Sequence, residues 1–112
     1  MTMGLATRRR LRELRKGVRY GWSFVRRRLV HTNLQLLYDC NFRCGICDFW
    51  RRPQGSARLS AAQVAAISEK LDRIGPQIVS IGGGEPLLHP EIVEVVRVLA
   101  LRHFPVMISN GW

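Results

Sequence analysis

The chain predicts an α/β fold with a parallel sheet, in the order β-α-β-α-β, behind a basic N-terminal helix. Three observations carry that expectation. Segments with helical apolar spacing alternate with short runs rich in leucine or β-branched residues. Helix-length connections between consecutive strands make those strands parallel. Three chemistry-bearing segments, CNFRCGIC (40–47), GGG (82–84) and Ser109-Asn110-Gly111, each follow a predicted strand. In a parallel sheet they fall on one edge, the carboxyl edge where ligands gather.

The N-terminal helix is read from Leu11, Leu14, Val18, Trp22, Val25 and Leu29, spaced 3, 4, 4, 3 and 4 apart. That is one apolar stripe with arginines around the rest. Gly17 and Gly21 weaken it. LQLLYD (34–39) follows as the first strand. Ser60 and Gln63 form a capping box for a helix with Val64, Ile67, Leu71 and Ile74 on its apolar face. Gly75-Pro76 stops it, with Gly at the left-handed position after the helix. IVSI (78–81) is the second strand. Pro90 opens the last helix, with Glu91 in its first turn. Pro105 closes that helix, and VMIS (106–109) is the third strand.

A length of 112 residues and 46% apolar content fit one domain with a real core. The net charge of +10 is concentrated at one end. Residues 1–30 hold ten Arg/Lys against Glu13 alone, while the remaining eight basic and seven acidic side chains leave the body at +1. No apolar run is long enough to span a bilayer, and no secretory signal precedes the helix. The expected spans are therefore 1–31, a basic amphipathic helix, and 32–112, the α/β body. The expected location is the cytoplasm, peripheral to a membrane if the helix binds one. Tyr20, Trp22 and Phe24 among arginines suit an anionic membrane surface through residues 8–30. Nucleic acid is the weaker expectation. A helix packed on the body with its arginines solvated is the plain alternative.

All three cysteines, Cys40, Cys44 and Cys47, lie within eight residues. An odd count argues against a disulfide framework and for reduced thiols. Soft thiolates select zinc, copper(I) or iron–sulfur clusters. A closed zinc site needs a fourth ligand, from His31, His89 or His103, and none has finger spacing. A 4Fe–4S cluster held by three cysteines leaves one iron open to a small molecule. The GGGEP segment lacks dinucleotide-loop spacing, and a carboxylate beside a pyrophosphate would repel it. Its bland reading is a turn with Glu85 solvated. The three histidines are expected at the surface, and Asp48-Phe49-Trp50 beside the cysteine loop.

With C-x3-C-x2-C after the first strand and Gly83-Gly84-Glu85-Pro86 after the second, the chain resembles the radical S-adenosylmethionine (SAM) superfamily from about Thr32 to Trp112. LYDCNFRCGICDFW, GGGEPLLHPEI and ISNG look most like the branch of peptide-modifying and cofactor-maturing enzymes. The resemblance implies the first half of a partial (β/α) barrel binding a 4Fe–4S cluster and SAM. It implies that Cys40, Cys44 and Cys47 hold three irons while SAM chelates the fourth through its amino and carboxylate groups. Gly83 and Gly84 would admit the methionine moiety, Glu85 would receive its ammonium, and Pro86 would fix the turn. Ile46 would touch the adenine where the family usually has an aromatic, and Ser109 and Asn110 would touch the ligand. The implied chemistry is reductive cleavage of SAM to a 5′-deoxyadenosyl radical that takes hydrogen from a substrate, a peptide or a cofactor precursor. It implies an electron donor. It also implies either a fragment or a half-barrel completed by a partner chain, because the family core is about twice this length. Two other functions compete: a non-catalytic zinc module, and a basic adaptor for membrane or nucleic acid with a degenerate core.

Overall fold

A computed structural model describes residues 4–111. Residues 1–3 and Trp112 fall outside them, so the outer ends of the two expected spans do as well. Three parallel strands form an open sheet in the order β1 (His31–Leu37), β2 (Ile78–Gly83), β3 (Phe104–Met107). Three helices flank it: α1 (Leu5–Val25), α2 (Ala61–Ile74) and α3 (Ile92–Ala100). This is the α/β order expected, and an open parallel sheet of this kind is consistent with an incomplete β/α barrel.

The core sits between the sheet and the α2/α3 pair. Leu34, Leu36, Leu37, Val79 and Ile81 from the strands meet Ala61, Val64, Val95 and Leu99 from the helices. Leu36 and Leu37 are adjacent yet both buried, which strict alternation forbids. The register between β1 and β2 slips between Gln35 and Leu37, and that bulge turns both side chains inward. The outer edge of β1 is covered where Leu59 N–H donates to the Leu36 carbonyl at 2.9 Å and Arg58 bridges Leu37.

Several boundaries differ from expectation. β1 begins at His31 because parallel pairing with Ile78–Ser80 draws in the polar His31-Thr32-Asn33. Pro105 lies within β3, paired with Val79, rather than closing a helix. Proline is tolerated there because β3 has only one neighbour in the sheet. α3 starts at Ile92, after a 3-10 turn at Pro86–Leu88, and is shorter than α2. Glu91 caps α2 instead of its own helix: its Oε2 accepts from Ala61 N–H at 3.3 Å. The capping box of Ser60 and Gln63 is present in both directions.

The sequence left open which face of α1 meets the body. The apolar stripe faces outward: Leu14 is 66%, Val18 67% and Val25 72% exposed. The helix docks through polar residues on its other side. Lys16 Nζ donates to the carbonyls of Ala100 (2.8 Å) and His103 (3.2 Å), bonds to the Glu13 carboxylate (2.8 Å), and lies 4.9 Å from the Phe104 ring centroid. Tyr20 meets Phe104 edge-on at 5.7 Å, and Arg19 pairs with Asp72 at 2.9 Å. Lys16 thus supplies a cation and donors to the carboxyl end of α3, where carbonyls lack helical partners. Gly75 has φ +142°, outside the left-handed helical well expected of it. A Cβ there would come within 2.3 Å of Ser23 Oγ, so this glycine also admits α1.

Two histidines expected at the surface are buried. His103 is fully enclosed: Nδ1 accepts from Gln77 N–H (3.1 Å) and Nε2 donates to the Ser68 carbonyl (2.9 Å). His89 donates from Nε2 to the Leu59 carbonyl (2.7 Å) and accepts Glu91 N–H at Nδ1 (3.0 Å). Each replaces a missing backbone partner between elements, which a polar residue does well only when satisfied. His31 is exposed, as expected, with Nε2 2.8 Å from Ser80 Oγ.

Candidate cofactor site

The ends of the three strands are tied to one another by backbone. Gly84 N–H donates to the Leu37 carbonyl at 2.9 Å, and Glu85 N–H to the Asp39 carbonyl at 2.8 Å. These bonds pull the end of β1, and hence Cys40, against the end of β2. The two glycines make the approach possible. At Gly83, with φ +128°, a Cβ would lie 2.2 Å from the Leu37 carbonyl oxygen; at Gly84 it would lie 2.0 Å from that of Asp39. The space a side chain would fill is therefore occupied by this chain's own backbone, a packing reason beside the expected approach of a ligand.

Glu85 is the centre of the arrangement and is not solvated: it is 1% exposed. Its Oε1 accepts from Leu87 N–H (3.0 Å) and Ser109 Oγ–H (2.9 Å), and its Oε2 from Asn110 N–H (2.8 Å). Desolvation alone would raise its pKa, but the hydrogen bonds from Asn110, Leu87 and Ser109 together hold it below 4.5. Among the described residues no cation pairs with it, so it is a buried negative charge held by three neutral donors. A carboxylate has about four lone-pair sites, which leaves one on Oε2 for a further donor.

The third loop closes the assembly. Asn110 Nδ2 donates to Asn41 Oδ1 at 2.9 Å, joining the segment after β3 to the cysteine loop. The resulting cleft, about 280 Å3, is lined by Cys40, Cys44 and Cys47, by Gly83, Gly84 and Glu85, and by Ser109 and Asn110, with Phe42 and Ile108 as apolar walls. All three thiols are free. Ile46 is not brought in: its side chain is fully exposed. Pro86 is buried at the start of the 3-10 turn that follows Glu85.

Behind the cysteines, Asp39 does work that the sequence did not announce. Its carboxylate accepts from Gly55 N–H (2.5 Å) and pairs with Arg58 (3.1 Å), pinning the return loop next to Cys40. Trp50 Nε1 donates to the Cys44 carbonyl at 3.0 Å, and Phe49 lies 5.4 Å from the Tyr38 ring. The Asp48-Phe49-Trp50 segment thus packs beside the loop. Phe42 was a missed candidate; its place two residues after Cys40 was the only signal.

Similarity to known proteins agrees with this geometry. The chain is 33% identical over 93 residues to the GTP 3',8-cyclase of Synechococcus elongatus, covering 77% of this chain and 28% of that protein. It is 29% identical over 89 residues to the probable GTP 3',8-cyclase of Sulfolobus acidocaldarius, covering 77% and 28%. It is 33% identical over 77 residues to the mycofactocin maturase MftC of Mycobacterium ulcerans, covering 69% and 21%. The chain thus spans between a fifth and a third of the length of these relatives. The family's cofactors are a 4Fe–4S cluster and SAM, and the residues here fit such a pair: three free thiols and a buried, cation-free carboxylate face one cleft. The model of the radical SAM superfamily matches residues 34–111, more than half of the chain, and the protein belongs to that superfamily.

Proposed function

We propose that the chain supplies the cluster- and SAM-binding part of a radical SAM enzyme. The supporting observation is the convergence of Cys40, Cys44, Cys47 and Glu85 on a single cleft. In this assignment the three thiolates would hold three irons of the cluster and leave the fourth open to SAM. Glu85 would accept an N–H of the SAM amino group on its remaining lone pair, and the Ser109 and Asn110 donors keep that carboxylate ionised and fixed. Gly83 and Gly84 hold the two strand ends together at the cleft. Phe42 and Ile108, rather than Ile46, give the apolar contact at the adenosyl end. When bound, the cofactor pair supplies one-electron reductive cleavage of SAM and hydrogen-atom abstraction from substrate.

An external electron donor and a substrate complete the reaction. A peptide or a cofactor precursor is the substrate class we favour, since relatives bear the names of a mycofactocin maturase and a GTP cyclase. Further strands pairing with β3 would complete the sheet, because Val106, Met107 and Ile108 leave an apolar margin there, 50%, 40% and 67% exposed.

Anaerobic reconstitution with iron and sulfide tests the assignment. A brown protein with close to four irons and four inorganic sulfides per chain is expected, along with loss of that cluster in Cys44→Ser. Colourless protein retaining one zinc per chain would overturn it. Reductive turnover of SAM to 5′-deoxyadenosine by the 112-residue chain alone should be weak, and strong only when further strands are supplied.

A further inference from the structure

We infer that the outward face of α1 is a docking surface for an anionic phospholipid bilayer. The helix is attached to the body by Lys16, Arg19, Tyr20 and Ser23. At about 100° per residue, Leu11, Leu14, Val18, Trp22 and Val25 lie on the opposite side. All five are exposed, from 49% at Leu11 to 72% at Val25, so the stripe is not the helix's contact with the sheet. Exposed apolar side chains in a continuous row mark an interaction site.

Charge selects the occupant. The stripe is bordered by exposed arginines, Arg8 and Arg15 among them, within a segment of ten basic residues and one acid. That acid, Glu13, is already engaged with Lys16 (2.8 Å) and Arg12 (3.5 Å). Beside the stripe a groove of about 440 Å3 runs between α1 and the end of α2. Its apolar walls are Val18, Trp22 and Ile74, and its rim carries Arg28 and Arg73, with Arg19 held on Asp72. Guanidinium groups over an apolar floor match a phosphate headgroup above acyl chain. Nucleic acid would satisfy the arginines and leave the stripe in water, and a second copy would bring two strongly basic surfaces together.

No helix among the described residues is long and apolar enough to cross a membrane. The expected mode is a helix lying in the interface, its apolar face about 5–10 Å deep. α1 touches Asp72, Ala100 and His103, at the ends of α2 and α3 remote from the cysteines. A chain bound this way keeps its cleft open.

The test is flotation of the full chain with vesicles of phosphatidylcholine alone or mixed with phosphatidylglycerol. Binding to the anionic vesicles should exceed binding to the neutral ones by at least ~10-fold and fall with added salt. Brominated lipids should quench Trp22, and Trp22→Phe should remove most of that quenching. Leu14→Asp with Val18→Asp should weaken binding by at least ~10-fold with circular dichroism unchanged. Arg8→Glu with Arg15→Glu should do the same without touching the stripe. Equal binding to neutral vesicles, or full binding by either double variant, would overturn the proposal. So would a dimer that Leu14→Asp dissolves, or nucleic-acid binding in place of vesicle binding.

Discussion

The two edges of the sheet obey opposite logic. At the carboxyl edge, loops with little regular structure converge, and a charged residue, Glu85, is almost fully enclosed. At the amino edge, a regular amphipathic helix is attached by its polar side and turns its apolar side away. Burial at the first edge follows hydrogen bonding to Glu85; exposure at the second follows close approach at Gly75 and cationic capping by Lys16. Hydrophobicity alone ranks neither. What decides is whether a polar group finds partners when it is enclosed.

Glycine substitutions at the carboxyl edge should give the largest effect. Gly84→Ala places a methyl 2.0 Å from the Asp39 carbonyl oxygen and should destabilise the fold by about 3 kcal/mol, read by urea unfolding. Gly82→Ala, with nothing within 4 Å of the new carbon, should change stability little. Equal effects would mean that the strand ends are not held together as described.

Glu85→Gln comes next. The amide would set an NH2 against at least one of three N–H or O–H donors, costing about 2 kcal/mol. The variant should also lose part of the acid sensitivity. Because the folded pKa of Glu85 is depressed, its contribution is present above pH 4.5 and is lost as pH falls through the folded value.

A second pH effect should come from the other edge. Burial pushes His103 below 6.5, against the opposing pull of the Ser68 carbonyl and Asp72. The unfolded chain then binds a proton that the folded chain refuses. Stability should be full above 6.5 and decline as pH drops below it, with His103→Asn flattening that slope. A slope unchanged in the variant would show that His103 is not the group responsible.

The smallest effect is a gain. Gly17 lies mid-helix with open space around it, so Gly17→Ala should stabilise by about 0.8 kcal/mol in thermal unfolding. Gly75→Ala, with φ +142° and Ser23 Oγ 2.3 Å away, should do the reverse and loosen α1.

Legibility follows the same division. The cysteine loop, the glycines, Glu85 and the Ser109-Asn110 segment could be read because strand ends are marked locally and parallel topology brings them together. The bulge at Leu36, Pro105 inside β3 and the burial of His89 and His103 could not, since each depends on a partner far along the chain. Helical periodicity located α1 but gave no means of choosing which face docks. Ile46 was expected at the cleft and Phe42 was not, yet Phe42 lines it and Ile46 points to solvent, because the path of the cysteine loop is set by Asp39, Gly55, Arg58 and Trp50.

The most direct test of the cofactor site is the electron-spin resonance spectrum of the reconstituted, reduced chain with and without SAM. The cluster signal should change on adding SAM, and the change should need a higher SAM concentration in Glu85→Gln. A spectrum indifferent to SAM, or a fourth cluster ligand traced to a side chain of this polypeptide, would contradict the account.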